Sequence, residues 1–154
     1  MAPKQLTNAT DCNVMAVRQA ARYMTQFYDR YLDPTGLRTT QFGILGKLKR
    51  KGSMSINTLA AELVMDRTTL GRNVQPLERD GLVAVEQDPS DGRSKLVQLT
   101  KAGEKRFQQA LKAWASAQNH FERAYGREEA SDLRDMLRTV VATDLGPKDA
   151  VAAE

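Results

Sequence analysis

The sequence predicts a mainly α chain with one small β-hairpin past its middle. Two observations carry that expectation. Apolar residues recur at steps of three and four along most of the 154 residues, the period of a helix buried on one face. Only two short stretches, 82–85 and 95–99, break the rhythm; both are rich in branched apolar residues, and turn formers crowd the segment between them. Composition narrows the class further. Apolar residues make up 41% and charged residues 27%, which fits a folded domain and excludes a disordered or collagen-like chain. No apolar run exceeds four residues, so no membrane partner is expected, and neither a transmembrane helix nor a signal-peptide core is present. One cysteine permits no internal disulfide, and the expected compartment is the reducing cytoplasm.

The elements follow in order. Residues 1–11 lack periodicity and contain Pro3, as a flexible arm would. From Cys12, the stripe Val14, Val17, Ala21, Met24, Tyr28 and Tyr31 predicts a helix of about 20 residues. The DPTG run at 33–36 breaks it. Phe42, Leu45 and Leu48 mark a second helix, capped by Thr39 or Thr40 and ended at Lys51-Gly52. Ser55 suits the cap of a short third helix with Leu59, Ala60 and Leu63. Asp66 suits the cap of a fourth, running to Arg79 and stopping at Asp80-Gly81. So tight a link between two short helices is the helix-turn-helix pattern. The hairpin follows, with residues 87–93 as a long polar tip. Thr100 caps a long helix with the stripe Phe107, Leu111, Trp114, Gln118, Phe121 and Tyr125, broken at Gly126. A last helix carries Leu133, Met136, Leu137, Val140 and Val141, and Gly146-Pro147 stops it before a flexible tail at 146–154.

On the fourth helix, Leu70, Val74 and Leu77 lie within about 60° of one another and form an inward face. Measured from Leu70, Gln75 falls at about 140°, Thr68 at about 160°, Arg79 at about 180° and Arg72 at about 200°. Thr69 and Asn73 flank this polar face. Arginine suits guanine, glutamine or asparagine suits adenine, and threonine suits a methyl or a phosphate. A merely solvated face would also be polar, so composition alone leaves both readings open. Position favours the first: the helix is the second of a tight pair and precedes a hairpin whose tip carries Arg93. A helix in the major groove and a hairpin arm in the minor groove is the logic of a winged helix-turn-helix. Pro76 removes one helical bond, to the Arg72 carbonyl, and predicts a bend.

The run LAAELVMDRTTLGRNVQPLERDGLVAVEQDPSDGRSKLVQLTKAGE resembles the MarR family of winged helix-turn-helix transcription regulators. The strings LAAEL before MDRTTL, LERDGLV at the helix-to-strand junction and DPSDGRSKLVQLT carry the match, which extends over about residues 12–143. The resemblance implies a homodimer with interlocked terminal helices, whose two recognition helices meet successive major grooves of a pseudo-palindromic operator about 34 Å apart. The candidate contacts with double-stranded DNA are Thr68, Thr69, Arg72, Asn73, Gln75, Arg93 and Lys95; the resemblance implies Arg93 in the flanking minor groove, with Asp91 supporting it. It also implies a repressor that releases DNA when a small aromatic or phenolic effector binds. Candidate effector-binding residues are Arg18, Arg22, Tyr23, Tyr28 and Trp114. A redox-responsive branch of the family uses a cysteine in the first helix. Cys12 is the candidate here, but Val14 stands at the sensor position, and Thr39 replaces one of the two tyrosines that would bond the thiol.

The chain thus divides into a winged helix-turn-helix DNA-binding region, 38–99, and a terminal-helix dimerisation lobe, 12–37 with 100–145. Long amphipathic helices at both ends can bury their stripes against a second copy. Charge is uneven: residues 38–53 hold five basic residues (Arg38, Lys47, Lys49, Arg50 and Lys51) and no acid, while 54–95 hold five basic and seven acidic residues. The KLKRK run reads either as a solvated helix end or as a phosphate contact. A non-DNA-binding winged-helix adaptor is the alternative of another class. No enzyme, cofactor or metal is expected. His120 is the single histidine, and GRSK lacks the spacing of a phosphate loop.

Overall fold

A computed structural model describes residues 12–146; the expected arm at 1–11 and nearly all of the tail at 146–154 lie outside the described residues. The order is α1 (Asn13–Leu32), a 3-10 turn (Asp33–Thr35), α2 (Thr39–Lys51), β1 (Met54–Ser55), α3 (Ile56–Glu62), α4 (Arg67–Arg79), β2 (Val83–Asp88), β3 (Asp91–Leu99), α5 (Lys101–Tyr125) and α6 (Arg127–Ala142). Two compact units result, divided after Ala117.

In the first unit, α1 ends where the Thr35 hydroxyl donates to the Leu32 carbonyl at 2.6 Å and Gly36 turns the chain at φ 74°. The entry to α2 differs from the expected threonine cap. Thr39 is the first helical residue, and its N–H and hydroxyl both donate to Asp29 of α1, at 2.7 and 2.6 Å. A carboxylate from the preceding helix does what a local threonine oxygen was expected to do. Ser55 and Asp66 cap as the sequence predicts: their oxygens accept the N–H groups of Thr58 at 3.0 Å and Thr69 at 2.8 Å. Between α3 and α4, Val64 takes φ 52°, a conformation costly to a β-branched residue, while remaining exposed. Pro76 lies inside α4 without ending it.

The sheet has three antiparallel strands in the order β1-β3-β2, one more than the sequence suggested. Val97 in the middle strand pairs with Met54 on one side and Val85 on the other. The wing tip is also shorter than expected. The strands pair as far as Asp88↔Asp91, leaving a two-residue turn where residues 87–93 were read as loop. Asp88 closes it by accepting the Ser90 N–H at 2.8 Å and its hydroxyl at 2.7 Å. These bonds, the hydroxyl's first, hold the Asp88 carboxyl below its ordinary value.

The core gathers Leu32, Leu37, Ile44, Leu45, Leu48, Leu59, Leu70, Leu77, Leu82 and Val97, all essentially closed to solvent. Burying a leucine side chain is worth about 1.5–3 kcal/mol, so this cluster holds the helix pair and the wing as one body. On α5 the most buried positions are Gly103, Ala110 and Ala117, one every seven residues, offset from the expected Phe107–Trp114 stripe. Small residues let the helix approach closely, and Phe107, Leu111 and Trp114 stand beside that line, half-buried.

The second unit holds the end of α5 and α6. Phe121 and Tyr125 stack at 5.2 Å, and Glu122 accepts from Gln118 at 2.8 Å and Arg134 at 3.1 Å. Gly126, at φ 110°, separates the helices. α6 ends at Ala142, before the expected stop at Gly146-Pro147, because Thr143 is extended and its hydroxyl donates back to Thr139 at 2.7 Å. Met136, Val140 and Val141 are exposed on this helix, as Val14, Met15 and Val17 are on α1.

Candidate nucleic-acid interface

The inward face of α4 is the one the helical period predicts: Leu70, Val74 and Leu77 are buried. The opposite face is therefore presented to solvent. Thr68, Arg72 and Gln75 are exposed there, and their side chains hold no partner among the described residues. Two predicted neighbours are engaged within the helix. The Thr69 hydroxyl donates to Asp66 at 2.6 Å, and the Asn73 amide donates to the Thr69 carbonyl at 2.9 Å. The Thr69 hydroxyl and then its N–H hold the Asp66 carboxyl below its ordinary value, so the cap stays charged at neutral pH. Arg79 is turned to Asp80, its Nε 3.1 Å from the carboxylate.

On the wing, Arg93 and Lys95 are exposed and unpaired among the described residues. Asp91 supports Arg93 through the main chain: its carboxylate accepts the Arg93 N–H at 3.0 Å. A groove of about 350 Å³ runs between the wing and the helix pair, lined by Ile56, Asn57, Arg67, Asp91, Arg93, Ser94 and Lys95. The wing and the start of α4 thus share one polar, largely cationic cleft. Sequence reasoning missed Asn57 and Arg67. Arg67 lies only about 60° from Leu70 around the helix, on the flank of the buried face, so the wheel hides it. Its cue is the position just past the Asp66 cap.

The KLKRK run is largely committed to the fold. Lys47 and Lys51 share Glu62, at 3.1 and 2.7 Å, and Lys49 pairs with Glu104. Arg50 alone of these four cations holds no carboxylate among the described residues, and it lines a second cavity. That cavity, about 250 Å³, lies between α2 and α5 and is walled by Phe42, Gly43, Gly46, Arg50, Phe107, Leu111 and Trp114. Phe42 stacks with Phe107 at 5.1 Å and lies 6.1 Å from Trp114 at an interplanar angle of 21°. Of the expected effector residues only Trp114 lines it. Arg18, Arg22 and Tyr23 are exposed on α1, and Tyr28 is buried edge-on to Phe27. Cys12 stands at the start of α1, half-buried, where its carbonyl accepts the Ala16 N–H at 3.1 Å. Among the described residues no acidic, histidine or cysteine cluster is built to hold a metal, and no helix is long and apolar enough to cross a membrane.

Comparison with known proteins places this geometry. Residues 37–95 match the model of the MarR family. The transcriptional activatory protein BadR of Rhodopseudomonas palustris is 39% identical over 88 residues, 55% of this chain and 50% of BadR, so the match spans half of that relative. The HTH-type transcriptional regulator YxaD of Bacillus subtilis is 32% identical, with 60% of this chain and 78% of YxaD covered. Among solved structures, the transcriptional regulator MosR of M. tuberculosis in complex with DNA superimposes with a TM-score of 0.74 at 34% identity, covering 88% of this chain and all of MosR.

Proposed function

This chain belongs to the MarR family of DNA-binding transcriptional regulators, and from that premise we propose that it is a homodimeric, sequence-specific repressor released from a pseudo-palindromic operator by a small aromatic effector. The observation that carries the DNA reading is the shared cleft: Arg67 of α4 lines one groove together with Arg93 and Lys95 of the wing. In that reading α4 lies in the major groove, with Arg72 and Gln75 on base edges and Thr68 beside them. Arg93 enters the flanking minor groove, whose narrow form draws arginine. The exposed apolar residues of α1 and α6 support a second copy as their cover, because soluble chains rarely leave such stripes in water.

The α2–α5 cavity is the effector site in this reading. Three near-parallel aromatic rings offer faces to a planar molecule, Gly43 and Gly46 leave room beside them, and Arg50 supplies a cation at the edge for a carboxylate or phenolate. An effector there weakens DNA binding by altering the spacing of the two recognition helices. By linkage, DNA weakens effector binding by the same factor. The test is fluorescence anisotropy on duplex DNA from upstream of the gene, with benzoate and simple phenols as competitors. Tight binding that a scrambled duplex does not match, and that Gly43→Trp makes insensitive to the competitors, is the expected result. Binding unaffected by any of them removes the effector part of the proposal.

A further inference from the structure

We propose that the groove between the start of α4 and the wing is a seat for one backbone phosphate of the DNA strand that separates the two grooves, held by Arg67, Lys95 and Asn57. The proposal rests on the DNA-binding reading above and assigns this groove a role that reads no sequence. The juxtaposition comes from the sheet. β1 pairs with β3 with Ser55 opposite Leu96, so Asn57 in the first turn of α3 comes beside Lys95. Arg67, the first helical residue of α4, lines the same groove.

Charge identifies the ligand. Arg67, Arg93 and Lys95 hold no carboxylate among the described residues, whereas the three lysines of the KLKRK run each hold one. Asp91, the one acid in the lining, is turned to the Arg93 N–H. Three cations against the single Asp91 carboxylate leave the polar cleft net positive, and an anion relieves that excess. Duplex geometry supplies that anion. When a helix occupies the major groove and an arm occupies the adjacent minor groove, the single sugar–phosphate strand dividing them crosses the cleft between helix and arm. Arg67 offers the forked donor that fits phosphate oxygens, and Lys95 offers a point charge.

The experiment is a salt titration by fluorescence anisotropy on a random-sequence duplex and on the upstream duplex, with the wild type, Arg67→Ala, Arg67→Lys, Lys95→Ala and Arg72→Ala. The Arg67, Lys95 and Arg72 side chains are all exposed, so melting temperatures should match the wild type and certify the fold. Arg67→Ala and Lys95→Ala should weaken both duplexes by the same factor. Each should flatten the slope of log affinity against log salt by about 0.9 per chain. Arg67→Lys should keep the slope, and Arg72→Ala should lose the preference for the upstream duplex instead. An unchanged slope in Arg67→Ala, or a loss confined to the upstream duplex, overturns the phosphate seat while leaving the regulator reading standing. A wild type that binds neither duplex at low salt overturns both.

Discussion

Replacing Gly103 with alanine should destabilise the first unit by about 2–4 kcal/mol, because the new methyl group meets main chain that has nowhere to go. A Cβ at this position falls 1.9 Å from the Leu82 carbonyl oxygen and 2.8 Å from Leu99 Cδ1. Ordinary contact begins near 3.4 Å, so α5 and the root of β2 must part by about 1.5 Å. Leu82 and Val83 are buried and cannot retreat into solvent. The same carbonyl accepts the Thr100 N–H at 3.2 Å, while the Thr100 hydroxyl donates to the Gly81 carbonyl at 2.7 Å and accepts the Gly103 N–H at 3.0 Å. Overpacking costs about 1–3 kcal/mol and each hydrogen bond lost about 1 kcal/mol more. Urea denaturation followed by far-UV circular dichroism reads this as a lowered midpoint at unchanged slope. A midpoint equal to that of the wild type would refute the reasoning, since it would mean that α5 does not rest on the root of the wing.

Other substitutions test other links. Gly71→Ala should have the opposite sign: the site is exposed, a Cβ there meets nothing within 4 Å, and alanine is favoured over glycine in a helix by about 0.8–1 kcal/mol, so a lowered urea midpoint would speak against a regular α4. Leu70→Ala removes a fully buried side chain and should cost about 2–5 kcal/mol in the same assay; a loss under about 1 kcal/mol would mean that the face opposite Arg72 is not core. Glu62 is held below its ordinary value of 4.5 by hydrogen bonds from Lys51 first and Lys47 second. A lowered carboxyl stabilises above its unfolded value and loses that contribution as pH falls through the folded one. The melting temperature of Glu62→Gln should therefore trail the wild type at neutral pH and converge with it in acid, and a gap that persists in acid would count against the shared ion pair.

What was legible in the sequence was whatever depends on period or on near neighbours. The buried face of α4 follows from Leu70, Val74 and Leu77, and the Ser55 and Asp66 caps need only residues three positions on. What stayed hidden depends on distant partners. The entry to α2 is governed by Asp29, ten residues upstream, and β1 is a two-residue strand defined only by its pairing with β3. The wing tip looked longer because Asp, Pro, Ser and Gly crowd it, yet one carboxylate, Asp88, closes it into a tight turn. Asn57 enters the candidate site only once β1 and β3 are paired, and Arg67 is hidden on the flank of the buried face of α4. The α2–α5 cavity was out of reach for a different reason: it is made where Gly43 and Gly46 lack side chains, and an absence leaves no periodic signal.

In the proposed function, α4 and the wing together read duplex DNA. Its most direct test is the anisotropy of a labelled duplex from upstream of the gene, titrated with the wild type and with the Arg72→Ala/Arg93→Ala variant over a range of salt. The expected result is tight, salt-sensitive binding by the wild type that a scrambled duplex does not match, with that preference lost in the variant. Equal binding of both proteins to both duplexes, or none at low salt, would contradict it.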